Sequence, residues 1–88
     1  MSITIFLSTN LSRVAKGTEA FEVDGATVDE CINELISLVP AMRNALFYES
    51  RLNANVQVQV NRESVDGGER LTKEVRNGDE IRIMLKGH

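Results

Sequence analysis

The sequence predicts a single α+β domain over residues 1–88, in which one main helix packs across one face of a mixed sheet. Apolar residues alternate with polar ones at 3–7, 55–61 and 80–85, which indicates half-buried strands. An apolar stripe with helical spacing runs from Val28 to Val39. The chain has 88 residues, 42% hydrophobic and 26% charged, a balance typical of one small globular domain. The order β-β-α-(α)-β-β-β therefore predicts two layers.

The first two predicted strands lie close together in sequence. Ile3, Ile5 and Leu7 share one face of the first strand, and residues 20–23 form a second, shorter one. The small and polar residues 8–17 between them are expected to form a loop. An antiparallel hairpin with a long connection is the natural arrangement.

The start of the main helix carries the clearest local signal in the chain. Thr27 and Glu30 have capping-box spacing: the Thr27 hydroxyl accepts from the amide of Glu30, and the Glu30 carboxylate accepts from the amide of Thr27. Pro40 ends the helix, because the residue before a proline is disfavoured in the helical region. Residues 41–47 predict a second, short helical stretch.

The C-terminal half predicts strands separated by turns. The alternation of valine and glutamine at 55–61 favours a strand, because β-branched residues fit a pleated surface. Residues 62–70 predict a loop, 71–75 a short edge strand and 76–79 a turn around Asn-Gly. The last strand, 80–85, directs three residues inward: Ile81, Ile83 and Leu85.

Composition excludes several classes of function. The net charge is −3 with no cluster of cations, which argues against nucleic acid as a partner. No apolar run approaches the ~20 residues that a membrane helix needs, and no leader sequence is evident. One cysteine and one histidine argue against a disulfide, a thiolate zinc cluster or a Ser/His/Asp site. We therefore expect a cytoplasmic protein that is no enzyme and has no catalytic, metal or cofactor site.

Three residue features could suggest chemistry, and a structural role is favoured for each. Cys31 lies near a helix start, where thiol pKa values can fall, but its spacing from the apolar stripe favours an inert core-edge residue. His88 has no second ligand nearby, which favours a solvated residue. Gly67-Gly68 is expected to be a turn with positive φ, because cleavage there would detach the last strand from a small core.

Several segments, in this order, resemble the ThiS/MoaD family of small sulfur carriers, which have the ubiquitin-like β-grasp fold. They are Gly25-Ala26-Thr27-Val28 at the helix start, Val60-Asn61-Arg62-Glu63, Gly67-Gly68 with Leu71, and the stretch from Val75 to Ile81. The second segment is similar to the family's V-N-G/D-E and the last to its V-x-D-G-D-E-V. The resemblance spans nearly the whole chain and implies a mixed sheet of four or five strands with one main helix.

The resemblance also implies a function at the C-terminal tail, residues 86–88. Family members end in Gly-Gly, an adenylyltransferase of the E1-like type activates that carboxylate, and the sulfur passes to a downstream accepting enzyme. Here Gly87 is the one position that matches a tail glycine, and His88 follows it. Three accounts stay open: His88 is removed, the carrier tolerates a relaxed terminus, or the domain is a non-carrier ubiquitin-like interaction module. The biosynthetic pathway, such as thiamin or molybdopterin, is not specified.

The face of the sheet opposite the helix is the expected partner-docking surface. Phe6 and Met84 point away from the core set and are flanked by Arg82. The resemblance implies a docking role for these residues, because the family uses its open sheet face to meet the activating enzyme. The alternative is that these are ordinary scattered exposed residues. The tail lies beyond the last inward residue and has no hydrophobic anchor, so residues 86–88 are expected to be poorly ordered or held only by neighbouring molecules.

Overall fold

The computed structural model describes residues 2–65 and 67–86. This part of the chain contains seven strands and four helices. In chain order they are β1 (Ile3–Leu7), α1 (Thr9–Val14), β2 (Ala20–Val23), α2 (Val28–Leu38), α3 (Met42–Leu46), β3 (Phe47–Tyr48), β4 (Arg51–Leu52), β5 (Val56–Val60), β6 (Glu63–Val65), α4 (Glu69–Thr72) and β7 (Glu80–Leu85).

Five strands form one mixed sheet in the order β2-β1-β7-β5-β6. β1 and β7 are parallel, with Ile5 opposite Ile81, and the other neighbouring pairs are antiparallel. The last strand therefore lies at the centre of the sheet, between the first strand and β5. The predicted α+β class and the five-stranded mixed sheet are confirmed, and β3 and β4 form a separate small hairpin.

The core lies between the sheet and α2. The inward side chains of the three central strands are buried, except that of Leu85, which is half-buried. Helix α2 covers them with the apolar stripe predicted from the sequence. Val39, the last member of that stripe, is only half-buried and lies just beyond the helix. The fully buried residues include Ile5, Val28, Ile32, Leu35, Val58, Ile81 and Ile83.

The cap of α2 differs from the predicted capping box by one residue. Thr27 Oγ1 accepts from the amide of Glu30 at 3.2 Å, as predicted. The Glu30 carboxylate, however, accepts from the amide of Ala26 at 2.9 Å instead of that of Thr27. Thr27 and Glu74 instead form an isolated antiparallel β-bridge, which ties the helix start to the segment before β7.

The expected loop at 8–17 is wrong, because Thr9–Val14 is helical. This helix buries Leu11, and the Ser12 hydroxyl donates to the carbonyl oxygen of Thr9 at 2.8 Å. Its N-cap residue, Ser8, is of a usual start type, but the Ser8 side chain makes no cap hydrogen bond and instead accepts from the amide of Leu85. One turn and a half, with few apolar residues, is too short to show a helical period.

The segment between β5 and β7 also differs from the prediction. The expected loop at 62–70 contains β6, and the expected edge strand at 71–75 is wrong because Glu69–Thr72 is a single helical turn. Gly67 has the expected positive φ of +59°, whereas Gly68 has an ordinary φ of −68°. Asn61 and Arg62, in the turn between β5 and β6, both have positive φ. Residues other than glycine rarely adopt this conformation, so the sequence gives no clear sign of a tight turn here.

Candidate functional site

The open face of the sheet carries the residues that alternate with the core positions. In the strand register Phe6 lies opposite Arg82, and β5 places Gln57 opposite Met84 and Gln59 opposite Arg82. We refer to these five residues as the open face. Gln57 is exposed and the other four are half-buried. The structure thus brings together the three residues that the sequence predicted for docking.

The guanidinium of Arg82 lies over the aromatic ring of Phe6, so this ring is not an uncovered apolar surface. Its guanidinium carbon is 4.9 Å from the ring centroid, a distance at which a cation is attracted to the face of an aromatic ring. The guanidinium still has hydrogen-bond donors directed along its plane. The centre of the open face therefore offers a positive charge, with Phe6 on one side across the strands and Gln59 on the other.

The end of β7 is held on both sides. The amide of Ser8 donates to the carbonyl oxygen of Ile83 at 3.0 Å, and the amide of Leu85 donates to Ser8 Oγ at 3.4 Å. On the other side, the amide of Lys86 donates to the carbonyl oxygen of Asn55 at 2.8 Å. At Lys86 the expectation of a poorly ordered tail, or of one held only by neighbouring molecules, is wrong, because this hydrogen bond to Asn55 holds Lys86 to its own chain. Gly87 and His88, predicted as the activation site, lie outside the described residues.

Cys31 is the buried, inert residue that the sequence favoured. Its side chain is 0% exposed and packs within the core cluster. Burial, together with the nearby carboxylates of Glu30, Asp24 and Glu34, raises the pKa of the thiol to about 11. Because the thiolate is the nucleophilic form, this cysteine is protonated at neutral pH and inaccessible to a reaction partner.

Two turns near the start of β7 are joined by a polar network. Asp79 accepts from the side-chain amide of Asn61 at 3.0 Å and from the backbone amide of Arg76 at 2.8 Å. The Asn61 side chain in turn accepts from the amide of Glu80 at 3.0 Å. These hydrogen bonds, that of Asn61 first, lower the pKa of Asp79. The network links two of the sequence segments that carried the family resemblance.

Other site features concern only residues 2–65 and 67–86. In that range no group of three or more His, Cys, Asp or Glu side chains could hold a metal ion. No helix in it is both long enough and apolar enough to span a bilayer. Sequence reasoning missed Arg70, whose side chain donates to the backbone carbonyls of Asn53 and Val56, because contacts with backbone carbonyls leave no periodic signal in the sequence. It also missed Asn55, which accepts from Lys86 through its own backbone carbonyl.

Comparisons with known proteins give the family. The profile of the ThiS family matches residues 6–85, from within β1 to the end of β7. One chain of the solved Amycolatopsis orientalis BexX/CysO complex is 31% identical with a TM-score of 0.84, and the alignment covers 98% of this chain and 97% of that chain. No match is found among curated proteins.

Two further solved structures are similar. SAMP1 from Haloferax volcanii is 25% identical with a TM-score of 0.87, and 99% of this chain and 97% of that chain are covered. Mycobacterium tuberculosis CysO, an antigen, is 23% identical with a TM-score of 0.84, over 97% of this chain and 99% of that chain, and supports the fold alone. The profile match extends over the two turns joined by Asn61 and Asp79, the main helix and strands from all parts of the large sheet. The chain therefore belongs to the ThiS family, and its fold is the ubiquitin-like β-grasp.

Proposed function

We propose that this protein is a sulfur carrier whose C-terminal carboxylate is activated by an adenylyltransferase of the E1-like type. A carboxylate oxygen would attack the α-phosphorus of ATP, and pyrophosphate would leave. Sulfide, or an equivalent donor, would then attack the carbonyl carbon of the adenylate and displace AMP. The resulting thiocarboxylate would pass its sulfur to a downstream accepting enzyme. In this proposal the protein is a cytoplasmic substrate of its partners and not itself a catalyst.

The observation that carries the proposal is that one strand serves both the open face and the tail. β7 contributes Arg82 and Met84 to the open face and continues directly into Lys86. With a rise of about 3.3 Å per residue, Met84 lies roughly 7 Å along the strand from Lys86. A partner seated on the open face would therefore have the tail beside it without any rearrangement of the domain.

The open face also has the composition of a protein interface. Aromatic residues, methionine and arginine are enriched in such interfaces, and here Phe6, Met84 and Arg82 occur together. The similar chain in the Amycolatopsis orientalis structure comes from a complex of two proteins. We infer that Phe6, Arg82 and Met84 dock the activating enzyme, with the Arg82 guanidinium facing a carboxylate of that partner.

The first test is the intact mass of the protein isolated from its own cell. The proposal expects a fraction whose mass corresponds to the exchange of one oxygen for one sulfur at the C-terminus. The same spectrum identifies the terminal residue: a chain ending at Gly87 means that His88 is removed before activation. Repeated isolation of a chain with no sulfur gain, and with no adenylate formed in the assay below, would refute the carrier function.

The second test is adenylation in vitro by the adenylyltransferase encoded in the same genome, with ATP. Proteins with and without His88 are compared, which tells whether the residue blocks the reaction. Phe6→Ala and Met84→Ala are expected to raise the KM for the carrier, because docking is weakened. Ser64→Ala is the matched control, since it lies across from Gln59 on the exposed edge strand β6, away from Phe6 and Met84.

A second candidate function is protein modification. It rests on the 25% identity to SAMP1, a name that stands for small archaeal modifier protein 1. The same adenylate would then be attacked by a lysine amine of another protein, and AMP would leave with formation of an amide bond. Tryptic peptides carrying a C-terminal remnant of this chain on lysine would support that function. A complex that depends on Phe6, formed without any adenylate, would instead indicate a non-carrier interaction domain.

A further inference from the structure

Arg70 makes an unusual set of contacts beside the end of β7. It comes from the single helical turn α4, and within residues 2–65 and 67–86 its guanidinium donates to backbone carbonyls. Nη1 donates to Asn53 at 2.9 Å and to Val56 at 2.8 Å. Nε donates to Gly67 at 3.0 Å, and Nη2 lies 3.5 Å from the carbonyl oxygen of Leu52. One side chain thus joins α4 to the connection between β4 and β5.

The connection that Arg70 binds is itself tightly hydrogen-bonded. Asn53 donates from its amide to Leu46 at 2.7 Å, and its side-chain oxygen accepts from the amide of Asn55 at 2.9 Å. The carbonyl oxygen of Asn53 accepts from Val56 at 2.9 Å as well as from Arg70. The two carbonyls held by Nη1 of Arg70 flank residues 54 and 55. The direction of the Asn55 carbonyl is therefore fixed from both sides.

The carbonyl of Asn55 is the group that accepts from the amide of Lys86 at 2.8 Å. We propose that Arg70 is a positioning residue: by fixing this carbonyl, it sets the point at which the C-terminal tail leaves the sheet. This inference rests on the proposed function, because an exit point matters only if the tail enters a partner. Without the restraint, β7 would release the chain before Lys86, and the tail would no longer start from a fixed point beside the open face.

Arginine suits this task better than lysine. A planar guanidinium can serve several carbonyls at once with rigid geometry, whereas an ammonium is a single point on a flexible stem. Arg70 is half-buried, so removing it takes a donor away from partly buried carbonyls, which is costlier than losing a bond in water. Arg70→Lys should therefore restore only part of what Arg70→Met removes.

The direct test is hydrogen exchange of the Lys86 amide, measured by NMR on the whole protein. In Arg70→Met we expect this amide to exchange about fivefold or more faster, as the loss of one backbone hydrogen bond implies. The amide of Leu7, which donates to Glu19 on the opposite side of the sheet, should change only with global stability. Arg70→Lys should give an intermediate rate and provides the measurement if Arg70→Met does not fold.

The second readout is the adenylation reaction, separated into kcat and KM. Arg70→Met should lower kcat with KM nearly unchanged, because the open face is intact while the carboxylate is misplaced. Val23→Ala is the matched control: Val23 is buried in β2, remote from the tail, so this variant is destabilised without losing the Lys86 hydrogen bond. Equal effects on kcat in Val23→Ala and Arg70→Met would overturn the inference.

Unchanged exchange at Lys86 in a folded Arg70→Met protein would also overturn it, even if the parent is adenylated normally. If the parent is not adenylated, the proposed function fails, and the role of Arg70 in activation fails with it. The exchange of Lys86 then still decides whether Arg70 fixes the exit of the chain.

Discussion

The two faces of the sheet are made by the same strands and have opposite characters. On the covered face, Ile81 and Ile83 of β7 are fully buried beneath α2. On the open face, Arg82 and Met84 of the same strand remain partly accessible and have Phe6 beside them. Successive side chains of a strand point to opposite faces, so one step along β7 changes a residue from part of the core to part of the candidate docking surface.

Because of this difference, adjacent residues of one strand should contribute to different properties, one to stability and the next to partner recognition. A substitution on the covered face should act on folding, and one on the open face should act on partner binding. Since the strand carries both kinds of residue alternately, adjacent positions serve as each other's controls. The predictions below test that separation, from the largest expected effect to the smallest.

The covered face should not tolerate a charge. Ile36 of α2 is 7% exposed and packs in the core cluster, so Ile36→Asp buries an unpaired carboxylate. We expect destabilisation of more than about 4 kcal/mol, enough to unfold a domain of this size. Circular dichroism during heating measures it. A melting temperature within a degree or two of the parent would contradict the assignment of the helix face.

The comparison is sharpest between Ile83 and Met84, which are neighbours in sequence. Ile83→Ala removes a fully buried side chain and should cost about 2–5 kcal/mol. Met84→Ala should cost about 1 kcal/mol or less, because half of its surroundings is solvent. Urea denaturation gives both values, and binding to the activating enzyme should show the reverse order of effects. Similar stability losses in the two variants would mean that the faces are not functionally separate.

The Phe6–Arg82 contact tests whether the open face contributes to stability at all. A double-mutant cycle with Phe6→Ala, Arg82→Ala and the double variant isolates their interaction energy. At a solvent-accessible site we expect about 0.5–1 kcal/mol, as for other cation–π pairs. A pairing with Glu22→Ala in place of Arg82→Ala should give a coupling near zero. Equal coupling in the two cycles would contradict a specific contact.

Asp79, in the turn before β7, should make a small, pH-dependent contribution to the free energy of unfolding. Its pKa is lowered from 3.8 by the hydrogen bonds of Asn61 and Arg76, so the folded state favours the ionised form. The stabilisation is present above the unfolded pKa and is lost as the pH falls through the folded value. Asp79→Asn should therefore lower stability at neutral pH and flatten its acid dependence, as urea denaturation across the acid range would show. Glu34→Gln, on the exposed side of α2, should leave that acid dependence unchanged.

Much of the fold could be predicted from the sequence because its long elements bury a regular pattern. β1, β5, β7 and α2 each repeat apolar residues at a constant period, and Pro40 marks the end of α2. The elements that sequence reasoning missed are those with too few residues to show a period. β6 has three residues, two of them exposed, and α4 has four with none buried, so neither differs from a polar loop.

The candidate site was predicted only in part, for a different reason. Phe6, Arg82 and Met84 follow from strand parity once β1 and β7 are assigned as neighbours. The position of Arg82 over the ring does not, because it depends on a side-chain rotamer. Arg70 could not be identified either, since its partners are carbonyls, and every residue has a carbonyl. Contacts of that kind are specified by three-dimensional arrangement and not by residue type.

The central position of β7 has a consequence for how the chain folds during synthesis. Thr4 pairs with Glu80 and Val60 pairs with Ile81, so among the described residues the two halves of the sheet are joined only through β7, which is translated after the other four strands. Until it emerges from the ribosome, the nascent chain has two disconnected hairpins and an incomplete core, because long-range parallel pairing must wait for both partners. We expect a chain that ends before Glu80 to lack native circular dichroism. Completion of the fold and presentation of the tail would then be one event, and an unfinished chain would offer an activating enzyme nothing to recognise.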